Sequence, residues 1–195
     1  MNDRTFSSSQ AHRLDSAERK EWLPMAEVLN RLELCSGWRV ADVGAGTGYF
    51  SIPIAAEIGA NGTVYAVDIQ PEMLMFIQEK LQATGLKNVE CSVGEALATG
   101  LTESSCDLVI MSYIWHELDD VDKVLAEANR ILKGGGTIAI IDWKPGVQQP
   151  PGPPLEHRIP QDQVIGALDR ARFSVTAAKD IGPFAYMIVA RSISE

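Results

Sequence analysis

The sequence predicts an α/β domain built on a mostly parallel sheet, and two observations predict it. Short apolar runs ending in turn residues alternate with stretches of helical periodicity along most of the chain. The glycine-rich segment Asp42-Val43-Gly44-Ala45-Gly46-Thr47-Gly48 directly follows the first apolar run. Strands joined by helices of this length need right-handed crossovers, hence parallel neighbours covered on both faces.

Each element has its own signal. Met25, Val28, Leu29 and Leu32 recur at helical spacing, and Pro24 interrupts the pattern, so two short helices are expected between Ser16 and Leu34. Trp38 to Val43 reads as a buried strand feeding the glycine turn, and Tyr49 to Ile58 as a helix stopped by Gly59 and Asn61-Gly62. A strand over Thr63 to Asp68, a helix over Pro71 to Thr84, and strands over Val89 to Val93 and Asp107 to Ser112 follow. Asp119 or Asp120 caps a helix running to Leu132, which Lys133 and three glycines end, and Thr137 to Asp142 is the next buried strand. Six of the ten prolines fall between Lys144 and Pro160, which forbids regular structure and marks a loop. A helix from Gln161 to Ala171 and two apolar runs, Ser174 to Ile181 and Ala185 to Ala190, joined by Gly182-Pro183, close the chain as an edge hairpin.

Length and composition narrow the function. With 195 residues, 46% of them hydrophobic, one domain with a full core is expected. The net charge of −9, without a Lys/Arg cluster, argues against nucleic acid and against an anionic membrane surface. The Ser-rich start lacks an apolar segment and no run of eighteen apolar residues occurs, so a cytoplasmic protein without integral membrane association is expected. Cys35, Cys91 and Cys106 are odd in number and widely spaced, so reduced thiols and no metal site are expected.

The glycine turn is the chemical centre. Its glycines recur every second residue, whereas a dinucleotide fingerprint needs the third glycine one place later, where Tyr49 stands. Glycine lets backbone approach a ligand closely, and the helix that follows offers N–H groups to a carboxylate or a pyrophosphate. Asp42 puts a negative charge where an amino group or sulfonium could sit; S-adenosylmethionine (SAM) has both cations and NAD neither. Asp68, twenty residues beyond Gly48, is placed to accept from two ribose hydroxyls. Glu95, within Gly94-Glu95-Ala96, can accept from an adenine amino group, and Ser112-Tyr113 closes a nucleoside pocket along the carboxyl ends of four strands.

Val40-Ala-Asp-Val-Gly-Ala-Gly-Thr-Gly-Tyr, Val67-Asp-Ile-Gln-Pro-Glu-Met-Leu and Leu132-Lys-Gly-Gly-Gly-Thr resemble the motifs of class I SAM-dependent methyltransferases, and the similarity covers nearly the whole chain. Within that superfamily the sequence is most similar to small bacterial members of the ubiquinone/menaquinone and arsenite methyltransferase-like branch, including the Leu-Asp…Glu-Arg…Trp-Leu-Pro stretch from Leu14 to Pro24. The resemblance implies a Rossmann-like fold with a seven-stranded, mostly parallel sheet, an antiparallel C-terminal hairpin strand and helices on both faces. It also implies that Gly44, Ala45, Gly46 and Gly48 line the methionine part of SAM, Asp68 and Ile69 the ribose and adenine, and Glu95 and Ala96 the adenine. The expected organisation is one domain over 1–195, with a helical cap over 1–36, the SAM-binding core over 37–142, an acceptor-side loop over 143–160 and a helix and hairpin over 161–195.

Methyl transfer is an in-line displacement, so alignment and exclusion of water supply most of the catalysis, and a base is needed only where the acceptor loses a proton. His116, after the fourth strand, is the leading acid/base candidate. Tyr113, Trp115, His116, Asp142 and His157 are the candidates for the acceptor pocket, with Trp22 and Trp143 as further apolar walls. The cysteines do not match those on which the arsenite enzymes rely, which argues against a metalloid acceptor. The expected partner is a small-molecule methyl acceptor, with a homodimer as an allowed assembly. Two other readings stay open: a non-catalytic SAM-binding regulator and a nicotinamide-dependent oxidoreductase.

Overall fold

The computed structural model describes residues 8–147 and 152–193. Pro150 and Pro151 of the proline-rich loop, and the first seven residues of the polar N-terminus, lie outside the described residues. A 3-10 helical segment over Ser8–Asp15, which the sequence did not announce, precedes α1 (Ala17–Trp22) and α2 (Met25–Leu32). Ser16 caps α1 by accepting from the Arg19 N–H, and Pro24, without a donor to lose, separates the two helices.

Seven strands form one sheet: β1 (Arg39–Val43), β2 (Thr63–Asp68), β3 (Val89–Val93), β4 (Cys106–Ser112), β5 (Leu132–Trp143), β6 (Phe173–Ile181) and β7 (Ala185–Ser192). Their order is β3-β2-β1-β4-β5-β7-β6, with β7 antiparallel to both neighbours and the first five strands parallel. The order reverses beside β1, and in such sheets ligands bind at the carboxyl ends of the strands at that switch.

The connections are α3 (Ser51–Ile58), α4 (Pro71–Thr84), α5 (Val121–Ile131) and α6 (Gln161–Arg170). Pro53 falls in the first turn of α3, where its missing N–H costs no helical bond. Gly85, at φ +73°, ends α4. Of the two candidate caps for α5, Asp120 is the one used, accepting from the Lys123 N–H at 3.1 Å.

Strand alternation sorts the core into two layers. Ala41, Val109, Met111, Ile138 and Ile140 pack with Val124, Leu125 and Ile131 of α5 and Val164 and Leu168 of α6. Val40, Leu108, Ile110, Ala139 and Ile141 face the other way, onto Val28 and Leu32 of α2 and Ile54 and Ile58 of α3. Each such fully buried aliphatic side chain stabilises the fold by about 1.5–3 kcal/mol.

Two expectations need correction. Helix α5 ends at Ile131 and its C-cap, Leu132, is already extended, so the three glycines do not cap it; they belong to β5, which starts five residues earlier than expected. Leu132 pairs with Cys106, and the chain goes straight from helix to sheet. The second correction concerns the proline-rich loop, where Leu155–His157 makes one 3-10 turn directly after Pro154.

Candidate functional site

The glycine turn is tied to the end of β2 by its own backbone. The Gly44 and Ala45 N–H groups both donate to the Val67 carbonyl, at 2.8 and 3.0 Å, and Gly48 N–H donates to the Ala45 carbonyl. Gly46 N–H donates to Asp68 Oδ2 at 2.8 Å, while Gln70 N–H donates to Asp68 Oδ1 at 2.9 Å. Gly46 has φ +53° and Gly48 φ +78°, and a Cβ at Gly48 would stand 2.9 Å from Ile77, so this path requires glycine. Asp68 is thereby fixed with two amides on its carboxylate and further lone pairs for a ligand. Burial pushes its pKa up against the opposing pull of those amides. These four turn amides are used inside the protein and are not free for a ligand carboxylate.

Asp42, buried at the end of β1, accepts from Ser51 Oγ at 2.6 Å. Burial, partly offset by Ser51 and reinforced by the nearby charge of Asp68, pushes its pKa up to about 6. A ligand ammonium would relieve this carboxylate. Thr47 Oγ1 and Ser112 Oγ are buried and make no hydrogen bond within the described protein, which is costly for polar atoms with no ligand to meet. The donor and acceptor set therefore fits SAM: two carboxylates for an ammonium and a ribose, and two hydroxyls in need of partners. Ile69 is 54% exposed beside Asp68, an apolar side chain left uncovered where the resemblance puts the adenine.

The ends of β4 and β5 carry a second cluster. His116 and Asp142, twenty-six residues apart in sequence, meet because β4 and β5 are parallel neighbours with Ser112 paired to Ile141. Asp142 is fully buried, lies 2.9 Å from His116 Nδ1, and accepts from the His116 backbone N–H at 3.0 Å and from the Trp143 N–H at 2.7 Å. Burial alone would lower the His116 pKa; the hydrogen bond and charge of Asp142, with the charge of Glu117, outweigh it and the net shift is upward. Tyr113, held at φ +59°, packs its ring against Trp143 at a 43° tilt with centroids 4.5 Å apart, and burial raises its hydroxyl pKa.

The other candidates divide. Trp115 packs in the core beneath the site and is a correction to its expected place in the pocket wall. Glu95 is exposed, with its backbone bridged to Ala98, and Ala96 is half-buried. His157 is half-exposed on its 3-10 turn, whereas its neighbour Arg158 is buried and ties the proline-rich loop together by donating to the carbonyls of Lys144, Val147 and Pro153, with the Trp143 ring 5.5 Å away. Sequence reasoning also missed Ser51, Arg19 and Lys80. Lys80 binds both Asp15 oxygens and the Thr47 carbonyl at 2.7 Å, and so fastens the N-terminal segment to the glycine turn. Trp22 sets its ring edge-on to Phe184 of the β6–β7 turn.

A cleft of about 490 Å³ lies elsewhere, over Arg39, Tyr65, Cys91 and the 99–105 loop, and includes neither the glycine turn nor Asp68. Among the described residues no group of three or more His, Cys, Asp or Glu could hold a metal ion, and no helix is long and apolar enough to cross a membrane.

Residues 34–178 match the model of a methyltransferase domain family. A demethylmenaquinone methyltransferase of Listeria welshimeri is 35% identical over 116 residues, 60% of this chain and 49% of that protein, so the chain spans about half the length of the curated relatives it matches. The crystal structure of a SAM-dependent methyltransferase from Aquifex aeolicus has a TM-score of 0.91 at 32% identity, covering 97% of this chain and 100% of that one. An arsenic(III) S-adenosylmethionine methyltransferase from Chlamydomonas reinhardtii shares the fold, with a TM-score of 0.66 at 24% identity over 82% of this chain and 64% of that one. The chain belongs to the methyltransferase domain family, within the class I SAM-dependent superfamily.

Proposed function

We propose that this chain transfers a methyl group from SAM to a small aromatic molecule that gives up a proton as it is methylated. The observation that carries the cofactor half is Asp68, whose carboxylate is aimed by the Gly46 and Gln70 amides at the end of β2, beside the glycine turn. Gly44, Ala45, Gly46 and Gly48 would flank the methionine part, Asp42 its ammonium, Asp68 and Ile69 the nucleoside, with Glu95, Ala96 and Ser112 at the adenine and sulfonium ends. SAM supplies a methyl carbon already activated by its sulfonium.

The acceptor half rests on the cluster at the ends of β4 and β5. Tyr113 and Trp143, packed against each other at a 43° tilt, put two aromatic rings at the ends of β4 and β5, which suits a flat acceptor. With the Nδ1–H tautomer donating to Asp142, Nε2 is the nitrogen that exchanges a proton with the acceptor. His157 and the loop that Arg158 ties down would cover the far side and exclude water. The demethylmenaquinone methyltransferases are consistent with an acceptor of this chemistry. Nucleic acid is not a partner in this reading, since the chain carries a net charge of −9.

The test is transfer of a labelled methyl group from SAM to a panel of hydroquinones and phenols. His116→Gln should lower kcat at least tenfold while S-adenosylhomocysteine affinity changes less than twofold. The wild-type rate should rise with pH above the usual histidine range, because the ring accepts a proton only when neutral and its pKa is raised. Unchanged kcat in the variant would remove His116 from the chemistry, and absence of transfer to any acceptor would remove the aromatic assignment.

A further inference from the structure

The glycine turn spends the amides of Gly44, Ala45, Gly46 and Gly48 on Val67, Asp68 and Ala45, so these four offer nothing to a ligand carboxylate, and a cationic side chain at this end would. Arg19, on α1, is in position to give one. Its guanidinium carbon lies 4.4 Å from the centroid of the Tyr49 ring, next to Gly48, and 5.4 Å from that of Tyr113 at the end of β4. Among the described residues it makes one hydrogen bond, from Nη1 to the Leu14 carbonyl at 3.0 Å, although a guanidinium carries five N–H donors.

No carboxylate among the described residues forms an ion pair with it. Both oxygens of Asp15 are taken by Lys80, and Asp42 is held by Ser51. Burial pulls the Arg19 pKa below its usual value, against the opposing influence of Tyr113, Tyr49, Asp15 and Asp42. A half-buried cation with unused donors and no ion-pair partner among the described residues is poorly matched until an anion arrives.

We propose that Arg19 binds the α-carboxylate of the methionine part of the cofactor. Asp42 and Arg19 then form a pair of opposite charges complementary to the amino acid zwitterion, one from the sheet and one from the N-terminal cap. The Ser8–Asp15 segment that leads into α1 is already fastened to the glycine turn, where Lys80 bridges Asp15 and the Thr47 carbonyl, so Arg19 is held beside the turn. The proposal rests on the SAM reading of the site.

The test uses two probes that share the nucleoside and differ in the amino acid: S-adenosylhomocysteine, which has the carboxylate, and methylthioadenosine, which lacks it. Arg19→Gln should weaken S-adenosylhomocysteine binding about 10- to 100-fold and leave methylthioadenosine within about twofold, with Arg19→Lys intermediate because it keeps the charge and loses the planar fork. Equal weakening of both probes would show that Arg19 only shapes the pocket and would overturn the proposal. Unchanged affinity for both, with a raised acceptor KM, would assign Arg19 to the acceptor and overturn it equally. Wild-type protein that binds neither probe would instead sink the SAM reading itself.

Discussion

Lowering the pH from 7 to 5 should weaken S-adenosylhomocysteine binding about tenfold, through Asp42. With a pKa of about 6, this carboxylate is about nine-tenths ionised at pH 7 and about one-tenth at pH 5. A ligand ammonium gains its full attraction only from the ionised form, so the loss is about 1.4 kcal/mol. The sign is opposite for the apoprotein. A folded pKa above the usual 3.8 means that the charged carboxylate costs stability as pH rises through 4 to 6, about 3 kcal/mol at neutral pH, which a bound ammonium offsets. Isothermal titration calorimetry in buffers of different ionisation enthalpy reads both quantities, affinity and protons released. Asp42→Asn is the control, because the amide oxygen still accepts from Ser51 while the titrating charge is gone; it should bind more weakly and with a flat pH profile. A flat profile in the wild-type protein, or an unchanged slope in the variant, would refute the reasoning.

Three further outcomes are expected. Asp68→Ala should weaken SAM binding by about 1–3 kcal/mol in the same calorimeter, since it removes a charged acceptor and leaves the Gly46 and Gln70 amides unpaired. Glu127, whose pKa Arg130 and Thr99 hold down to about 2 against burial, stabilises the fold above pH 4.5 and loses that contribution as pH falls towards 2. Glu127→Gln should therefore lower stability at pH 7 by about 1–2 kcal/mol after solvent screening, and flatten the acid limb of a urea-melt series. Gly182→Ala should lower the Tm, by about 2 kcal/mol or more in stability, because the residue sits at φ +56° and a new Cβ would stand 1.9 Å from the Trp22 carbonyl, which is backbone and cannot yield cheaply.

Periodicity, caps and glycines were enough to read most of the strands and helices, because those signals are local. Thr63–Asp68, Pro71–Thr84 and Val89–Val93 agree with the structure to the residue. Lys133 and its glycines misled, since glycines after a helical pattern look like a cap whether the chain stops or runs on into a strand. The site's long-range partners carried no local signal. His116 and Asp142 were separate candidates, and only the register of β4 on β5 joins them. Arg19 and Lys80 lie at the glycine turn only because the N-terminal segment packs there, which no spacing encodes. Trp115 was indistinguishable from its neighbours because an aromatic after a strand can face a pocket or the core, and packing against α5 and α6 decided for the core.

The most direct test of the account is a binding titration of the purified chain with SAM and, separately, with NADH. The account predicts saturable, micromolar binding of SAM at one site per chain and no heat with NADH. Binding of NADH, or no binding of SAM, would contradict the assignment of Asp42, Asp68 and the glycine turn to a sulfonium nucleoside.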